Sequence, residues 1–142
     1  MVHALEMVHR LLLPSGRLVD LHPADQPPSI TIRTGRKTIA AGHLYEAGNF
    51  MDYRRAEAAL AKVVERRLFE WEAQGAFAYI IAADTAAEMV AHLDTNWKRA
   101  ILTADVRQRM EMGMAVTEPD REILISQTIR IGRLRPLTSA AS

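Results

Sequence analysis

The isoleucine pattern near the C-terminus places the tightest limit on what this chain can fold into. Ile123, Ile125, Ile129 and Ile131 all fall on one parity of their run, and residues such as Arg130 occupy the other. Successive side chains of a β-strand point to opposite faces, so this spacing predicts a long strand with one buried face. A strand of this kind needs neighbours that complete a sheet and a second layer that covers its apolar face.

The rest of the sequence supplies both kinds of element. Thr34-Gly35-Arg36-Lys37 separates two alternating stretches, Ile30–Arg33 and Thr38–Tyr45, which predicts a β-hairpin. Further apolar patterns predict strands at 17–22 and 77–81, and helices at 2–13, at 51–72, after the Thr85 capping signal and after Thr103. We therefore expect an α+β fold in which a mixed or mainly antiparallel sheet, including the hairpin, packs with three to four helices.

Length, charge and cysteine content limit the class of protein. The 142 residues fit a single α+β domain, expected over 1–137, with a disordered tail at 138–142. A net charge of +1 argues against nucleic acid as a partner, because such binding needs a basic excess or a basic face. The chain has no cysteine and no run of about 18 apolar residues, so we expect a cytoplasmic protein without disulfides that does not enter a membrane.

The spacing of the glycines excludes a nucleotide-type loop. No two of the seven glycines are closer than six residues, the spacing between Gly42 and Gly48. Loops that bind dinucleotides or S-adenosylmethionine need glycines one or two residues apart, so that the backbone can approach the ligand. We therefore expect no cofactor-binding residues in this chain.

The sequence also carries no motif for metal binding or nucleophilic catalysis. The histidines lie at positions 3, 9, 22, 43 and 92, and none forms a ligand pair of the H-x-x-x-H type. No serine stands in a G-x-S-x-G elbow. We accordingly expect no metal site and no catalytic residues. His22 and His43 both fall near the ends of predicted strands, where they can meet, and Asp20 or Asp25 lies nearby.

Three stretches resemble class I S-adenosylmethionine-dependent methyltransferases. Ala4–Leu18 is similar to the family's helix that ends in "hRvLkPGG" before the fifth strand, with Ser15 in place of the first glycine. Tyr79–Leu93 resembles the "aeel…L" passage, and Glu122–Pro136 is similar to the last strand. The resemblance implies the C-terminal half of such an enzyme, because the family's cofactor residues all precede the part that this chain matches.

The same resemblance implies a partner. The strand at 17–22, central in the parent fold, would have an open edge here, and proteins cover or pair such edges. We therefore expect a homodimer, or a partner subunit, joined through the 17–22 strand and the N-terminal helix.

Three functional hypotheses follow. The first is a methyltransferase-related, non-catalytic module that binds a partner or a small ligand. The second is a subunit of a split methyltransferase, active only with a chain that carries the glycine loop. The third is an unrelated small-ligand-binding protein or enzyme of α+β fold, with a pocket lined by His22, His43, Tyr45 and Trp97.

Overall fold

A computed structural model describes residues 1–115 and 120–138 of the chain. The helices in this part are α1 Val2–Leu11, α2 Asn49–Glu65, α3 Ala86–Asn96 and α4 Ala104–Met114. The strands are β1 Leu18–Pro23, β2 Ser29–Thr34, β3 Lys37–His43, β4 Tyr45–Glu46, β5 Phe69–Ala83, β6 Ala100–Ile101 and β7 Arg121–Pro136. None of the described helices combines the length and the apolar character that crossing a membrane requires.

The main sheet has five strands and is mostly antiparallel. Its order is β1-β7-β2-β3, and β5 also pairs with β7. The pairings β1–β7, β2–β3 and β2–β7 are antiparallel, and β4 with β6 forms a separate antiparallel pair. The expected α+β class, with a hairpin, a mainly antiparallel sheet and three to four helices, is thereby confirmed.

The chain divides into two compact units. The first comprises Met1–Asp25, Phe50–Phe77 and Ile129–Ser142, and the second comprises Gln26–Asn49 and Ala78–Thr128. The expectation of one domain over 1–137 stays a prediction. Residues 139–142 of the expected tail lie outside the described residues.

The core of the first unit is built on α2 and the start of β5. Phe69 is fully buried, as are Val63 and Leu134, and Leu60 is almost so. The Phe69 ring meets His9 edge to face, with ring centroids 5.2 Å apart. The apolar side of α1 also packs on this core and contributes Val2, Leu5 and Val8, and Leu12 packs there directly after the helix.

Helix α2 ends seven residues earlier than the sequence indicates. The expected helix at 51–72 stops at Glu65, and β5 begins at Phe69, so Trp71 lies on a strand. Arg67 adopts a left-handed conformation with φ 55°, Leu68 N–H donates to the Val63 carbonyl, and Arg67 N–H donates to the Val64 carbonyl. These two bonds form a Schellman motif, which closes a helix in this way.

Strand β1 is only half buried, although the sequence suggests a buried strand. Val19 and Leu21 are 54% and 55% exposed, whereas Leu18, Asp20 and His22 are partly covered. The reason is the antiparallel pairing with β7, since alternate side chains of such a strand point away from the core. β1 stands at the end of the strand order, and the expected partner at this strand stays a prediction.

In the first unit, two arginines form ion pairs with the carboxylate of Glu72. Arg17 Nε donates to Glu72 Oε1 at 2.7 Å, and Arg133 Nε lies 3.0 Å from Oε2. The Arg17 hydrogen bond lowers the pKa of Glu72 below its ordinary value of 4.5; burial opposes this shift, and the charges of Arg17, Arg133 and Arg135 add to it.

This lowered pKa predicts an acid-dependent loss of stability. The unfolded chain binds a proton at Glu72 at higher pH than the folded chain does. The stabilisation by the Glu72 ion pairs is therefore complete well above pH 4.5 and is lost as the pH falls below that value. We expect Glu72→Gln to be less stable than the parent chain at neutral pH and equally stable in strong acid. Urea unfolding across that pH range measures the difference, and a constant difference at every pH would contradict the assignment.

The second unit contains the predicted hairpin. β2 and β3 pair from Ser29↔His43 to Thr34↔Lys37, and Gly35 takes a left-handed conformation with φ 54° in the turn. The capping signal at Thr85 is also confirmed: its hydroxyl accepts a hydrogen bond from Glu88 N–H at 3.1 Å at the start of α3. The core of this unit contains Ile30, Ile32, Ala41, Leu44, Met89, Leu93, Val106, Met110, Ile123 and Ile125.

The buried parity of β7 changes along the strand. Ile123 and Ile125 are buried as predicted, but Ile131 is 38% exposed, and Gly132 and Leu134 are buried instead. The prediction of one buried face from Ile123 to Ile131 is therefore wrong at Ile131. Each half of the strand contributes to the core of its own unit, and each core buries its own set of alternate residues.

Candidate functional site

A cavity of about 290 Å³ lies within the first unit, bordered by α2 and the strands β1, β5 and β7. Larger depressions of about 570 and 650 Å³ occur in the second unit. The first cavity is distinguished by a network of charged side chains that converge on one histidine. Its lining consists of Asp20, His22, Glu57, Leu60, Ala61, Trp71, Gln74, Gly75, Arg130, Ile131 and Gly132.

Local structure explains why these side chains face the cavity. On β1, Asp20 and His22 are two residues apart and therefore lie on the same face of the strand, opposite to Val19 and Leu21. On α2, Glu57 and Ala61 are four residues apart, one helical turn, so both lie on the side of the helix that borders the cavity.

His22 joins the two carboxylates of the cavity. Its Nδ1 lies 2.6 Å from Asp20 Oδ2, and its Nε2 lies 3.4 Å from Glu57 Oε1. Arg130 Nε lies 2.9 Å from the same Glu57 oxygen. The side chain of His22 is 11% exposed and that of Arg130 is 54% exposed, so the network runs from a nearly buried imidazole to an arginine at the rim.

The short contact with Asp20 sets the orientation of the imidazole. A carboxylate oxygen only accepts, so Nδ1–H donates to Asp20 Oδ2, and the longer contact with Glu57 Oε1 likewise needs a donor on Nε2. Both ring nitrogens therefore have a carboxylate partner, and the shorter contact with Asp20 holds the ring in place. An orienting carboxylate on one imidazole nitrogen is the arrangement that acid–base and binding histidines use.

Part of the cavity lining is apolar and depends on a glycine. Leu60, Trp71 and Ile131 are apolar residues of the lining. A Cβ atom added to Gly132 would lie 2.4 Å from Cζ3 of Trp71, closer than real atoms approach. The indole thus occupies the space that only glycine at 132 leaves open.

The structure separates the four residues that the sequence analysis grouped as a ligand site. His22 lines the cavity in the first unit, and the other three are not part of its lining. Trp97 lines the 570 Å³ depression of the second unit, and Tyr45 pairs with Ile101, which lines the same depression. His43 is exposed at the end of β3. A ligand role for His43, Tyr45 and Trp97 stays a prediction.

Sequence reasoning missed most of the cavity. In the helix predicted at 51–72, Glu57 lies off the stripe of apolar residues and Trp71 lies on it, so neither was assigned to a site. Asp20 was noted beside His22, and the Asp-x-His spacing on a strand is the signal that identifies the pair. Arg130 offers no signal, because its approach to Glu57 depends on the tertiary fold.

Neither metal ligands nor known relatives indicate a function for this cavity. Within residues 1–115 and 120–138, no three His, Cys, Asp or Glu side chains are grouped so that they could hold a metal ion. No family model, curated protein or solved structure matches the chain.

Proposed function

We propose that this chain is a small-ligand-binding protein and that the cavity around His22 is its site. The observation that carries the proposal is the Asp20–His22–Glu57–Arg130 network along the wall of a 290 Å³ cavity. Ligand sites in proteins combine a concave apolar surface with a few convergent polar groups, which is the composition found here.

The network joins a nearly buried imidazole to charged side chains that solvent reaches. His22 is 11% exposed, whereas Glu57 and Arg130 are 34% and 54% exposed. The core of this unit is the apolar cluster around Phe69. Charged groups held at the mouth of a cavity are instead available to a ligand.

Filling the cavity tests the proposal. Ala61 is exposed and lines the cavity from α2, so Ala61→Phe adds a ring at the opening of the space where a ligand would bind. Ala58 is exposed on the same helix and is not part of the lining, which makes Ala58→Phe the matched control. A ligand at 100 times its Kd stabilises the folded state by about 2.7 kcal/mol, so a thermal-denaturation screen of a fragment library detects binding.

We expect fragments that raise the melting temperature of the parent chain and of Ala58→Phe, but not that of Ala61→Phe. A library without any such fragment would contradict the proposal. Fragments that stabilise all three proteins equally would place the binding site elsewhere and would contradict it as well.

We further propose that the chain is related to methyltransferases, that it is cytoplasmic, and that it forms a homodimer through β1 and α1. The resemblance of Ala4–Leu18 supports the first, the absence of cysteine supports the second, and the exposed Val19 and Leu21 support the third. A split-enzyme subunit requires a partner chain with the glycine loop. The isolated chain is then a binding module without a cofactor of its own.

The missing glycine loop predicts that the isolated chain does not bind S-adenosylmethionine. We expect no heat of binding when S-adenosylmethionine is titrated into the isolated chain, because no closely spaced glycines are present to let the backbone approach the cofactor. Isothermal titration calorimetry makes the measurement. Micromolar affinity would contradict the prediction.

A further inference from the structure

We infer that the ligand of this cavity is a small organic cation with N–H donors, such as a primary amine attached to an apolar group. The inference rests on the proposed function and adds a chemical class to it. Three properties of the cavity carry it: its charge, the carboxylate oxygens that its internal contacts do not use, and the aromatic wall.

The charge of the lining favours a cation. Asp20 and Glu57 contribute two carboxylates and Arg130 contributes one guanidinium, so among these three side chains negative charge exceeds positive charge. A positive ligand reduces this excess of negative charge, and a negative ligand increases it. A bound cation therefore compensates the excess of carboxylate charge in the lining.

The geometry of the carboxylates leaves acceptors for such a ligand. His22 and Arg130 both contact Oε1 of Glu57, and His22 contacts Oδ2 of Asp20. None of these contacts uses the second oxygen of either carboxylate. An ammonium group has three N–H donors and can bond to both remaining oxygens, and hydrogen bonds to charged groups are the strong ones.

The aromatic wall matches the rest of the ligand. Trp71 belongs to the lining, and tryptophan is the side chain that binds cations best through its π-system; Leu60 is a further apolar residue of the lining. A volume of about 290 Å³ is at the lower end of the range for small-molecule sites, so the ligand is small. An apolar group of about one ring with an attached amine fits these limits.

A carboxylate-bearing ligand fits less well. Arg130 is the one lining side chain with a permanent positive charge, its Nε contacts Glu57, and its side chain is 54% exposed at the rim. An anion bound deeper in the cavity would face Asp20 and Glu57. An amino acid would place its ammonium group favourably and its carboxylate group unfavourably.

The test uses four probes that share one ring and differ in charge: phenethylamine, phenylalanine, phenylacetate and phenylethanol. In a Trp97→Phe variant the remaining tryptophan is Trp71, so indole fluorescence reports on the cavity alone. We expect phenethylamine to bind at least about tenfold more tightly than any other probe, a difference that titration resolves readily. Tighter binding of phenylacetate or phenylalanine would overturn the inference.

Charge-removing variants provide the second arm. Glu57→Gln keeps the size of the side chain and is expected to weaken phenethylamine about tenfold while leaving phenylethanol unchanged. Glu65→Gln is the matched control, because Glu65 is 68% exposed on the same helix and is not part of the lining. Equal affinity for the amine in Glu57→Gln and the parent would overturn the inference.

The two possible failures are distinguishable. If an anionic or neutral probe changes Trp71 fluorescence most strongly and Ala61→Phe abolishes the change, the cavity binds ligands and only the chemical class is wrong. If no probe changes the fluorescence, the cation inference fails. The binding proposal fails with it only when the fragment screen also finds no ligand that Ala61→Phe blocks.

Discussion

Phe69→Ala is expected to lower the free energy of unfolding by about 3–5 kcal/mol, the cost of removing a large aromatic side chain from a packed core. Phe69 is fully buried, packs with Val63 and Leu134, and meets the His9 ring at 5.2 Å. Small domains are stable by about 5–15 kcal/mol, so this one change removes a large share of the total. Equilibrium unfolding in urea gives the value from the midpoint and slope.

Phe77→Ala is the matched control, because Phe77 lies on the same strand β5 and is 46% exposed. Its removal is expected to cost less than about 1 kcal/mol, as for most surface positions. Similar losses for the two variants would contradict the assignment of the first core to α2, β5 and β7.

Gly132→Ala is expected to destabilise the chain by about 1–3 kcal/mol and to displace Trp71 from the cavity wall. The added methyl group would lie 2.4 Å from Trp71 Cζ3 and within 3.3 Å of two further ring atoms, so the indole must move. The backbone at Gly132 is not in the left-handed region, so the expected cost is steric. Urea unfolding measures the stability, and Trp71 fluorescence in the Trp97→Phe background reports the displacement.

Gly75→Ala provides the control, since its Cβ would meet only Ile131 Cγ2 at 3.7 Å, an ordinary contact. We expect this variant to be as stable as the parent or slightly more so, because alanine restricts the unfolded chain. Adding Trp71→Leu to Gly132→Ala should recover part of the loss, and a double-mutant cycle quantifies the coupling. Simple additivity of the two changes would show that the methyl group and the indole do not meet.

Elements with strong local signals were predictable from the sequence. The hairpin has a glycine at the left-handed turn position, and α3 has the Thr85–Glu88 pair that caps it. The end of α2 gave no such signal, because Arg67 occupies the left-handed position that glycine usually takes. The nearest glycine, Gly75, lies within the strand that follows.

Periodicity alone did not determine where β5 begins or which face of β7 is buried, because both depend on the tertiary structure. In β5, Phe69 and Trp71 alternate with Glu70 and Glu72, a strand pattern that also fits the end of a helix over so short a run. In β7 the alternation is regular, yet the buried parity changes between Gln127 and Gly132. Local sequence shows which residues alternate, and only the packing shows which of them face a core.

Only the part of the candidate site that lies on a single strand was predictable from the sequence. His22 was identified as a ligand-binding candidate, and Asp20 was noted as its neighbour, because both belong to one short strand. Glu57 and Arg130 come from distant parts of the chain and meet His22 only after folding. Trp97 was placed in one predicted pocket with His22, whereas Trp71 is the tryptophan that lines the cavity around His22.

The two tryptophans allow one direct test of the central claim, that the cavity around His22 is the ligand site. A proton–nitrogen correlation spectrum shows one indole signal for Trp71, in this cavity, and one for Trp97, in the depression of the second unit. On addition of phenethylamine or of a stabilising fragment, the Trp71 signal is expected to shift with saturation while the Trp97 signal stays in place. A saturable shift of the Trp97 signal, with Trp71 unchanged, would contradict the claim.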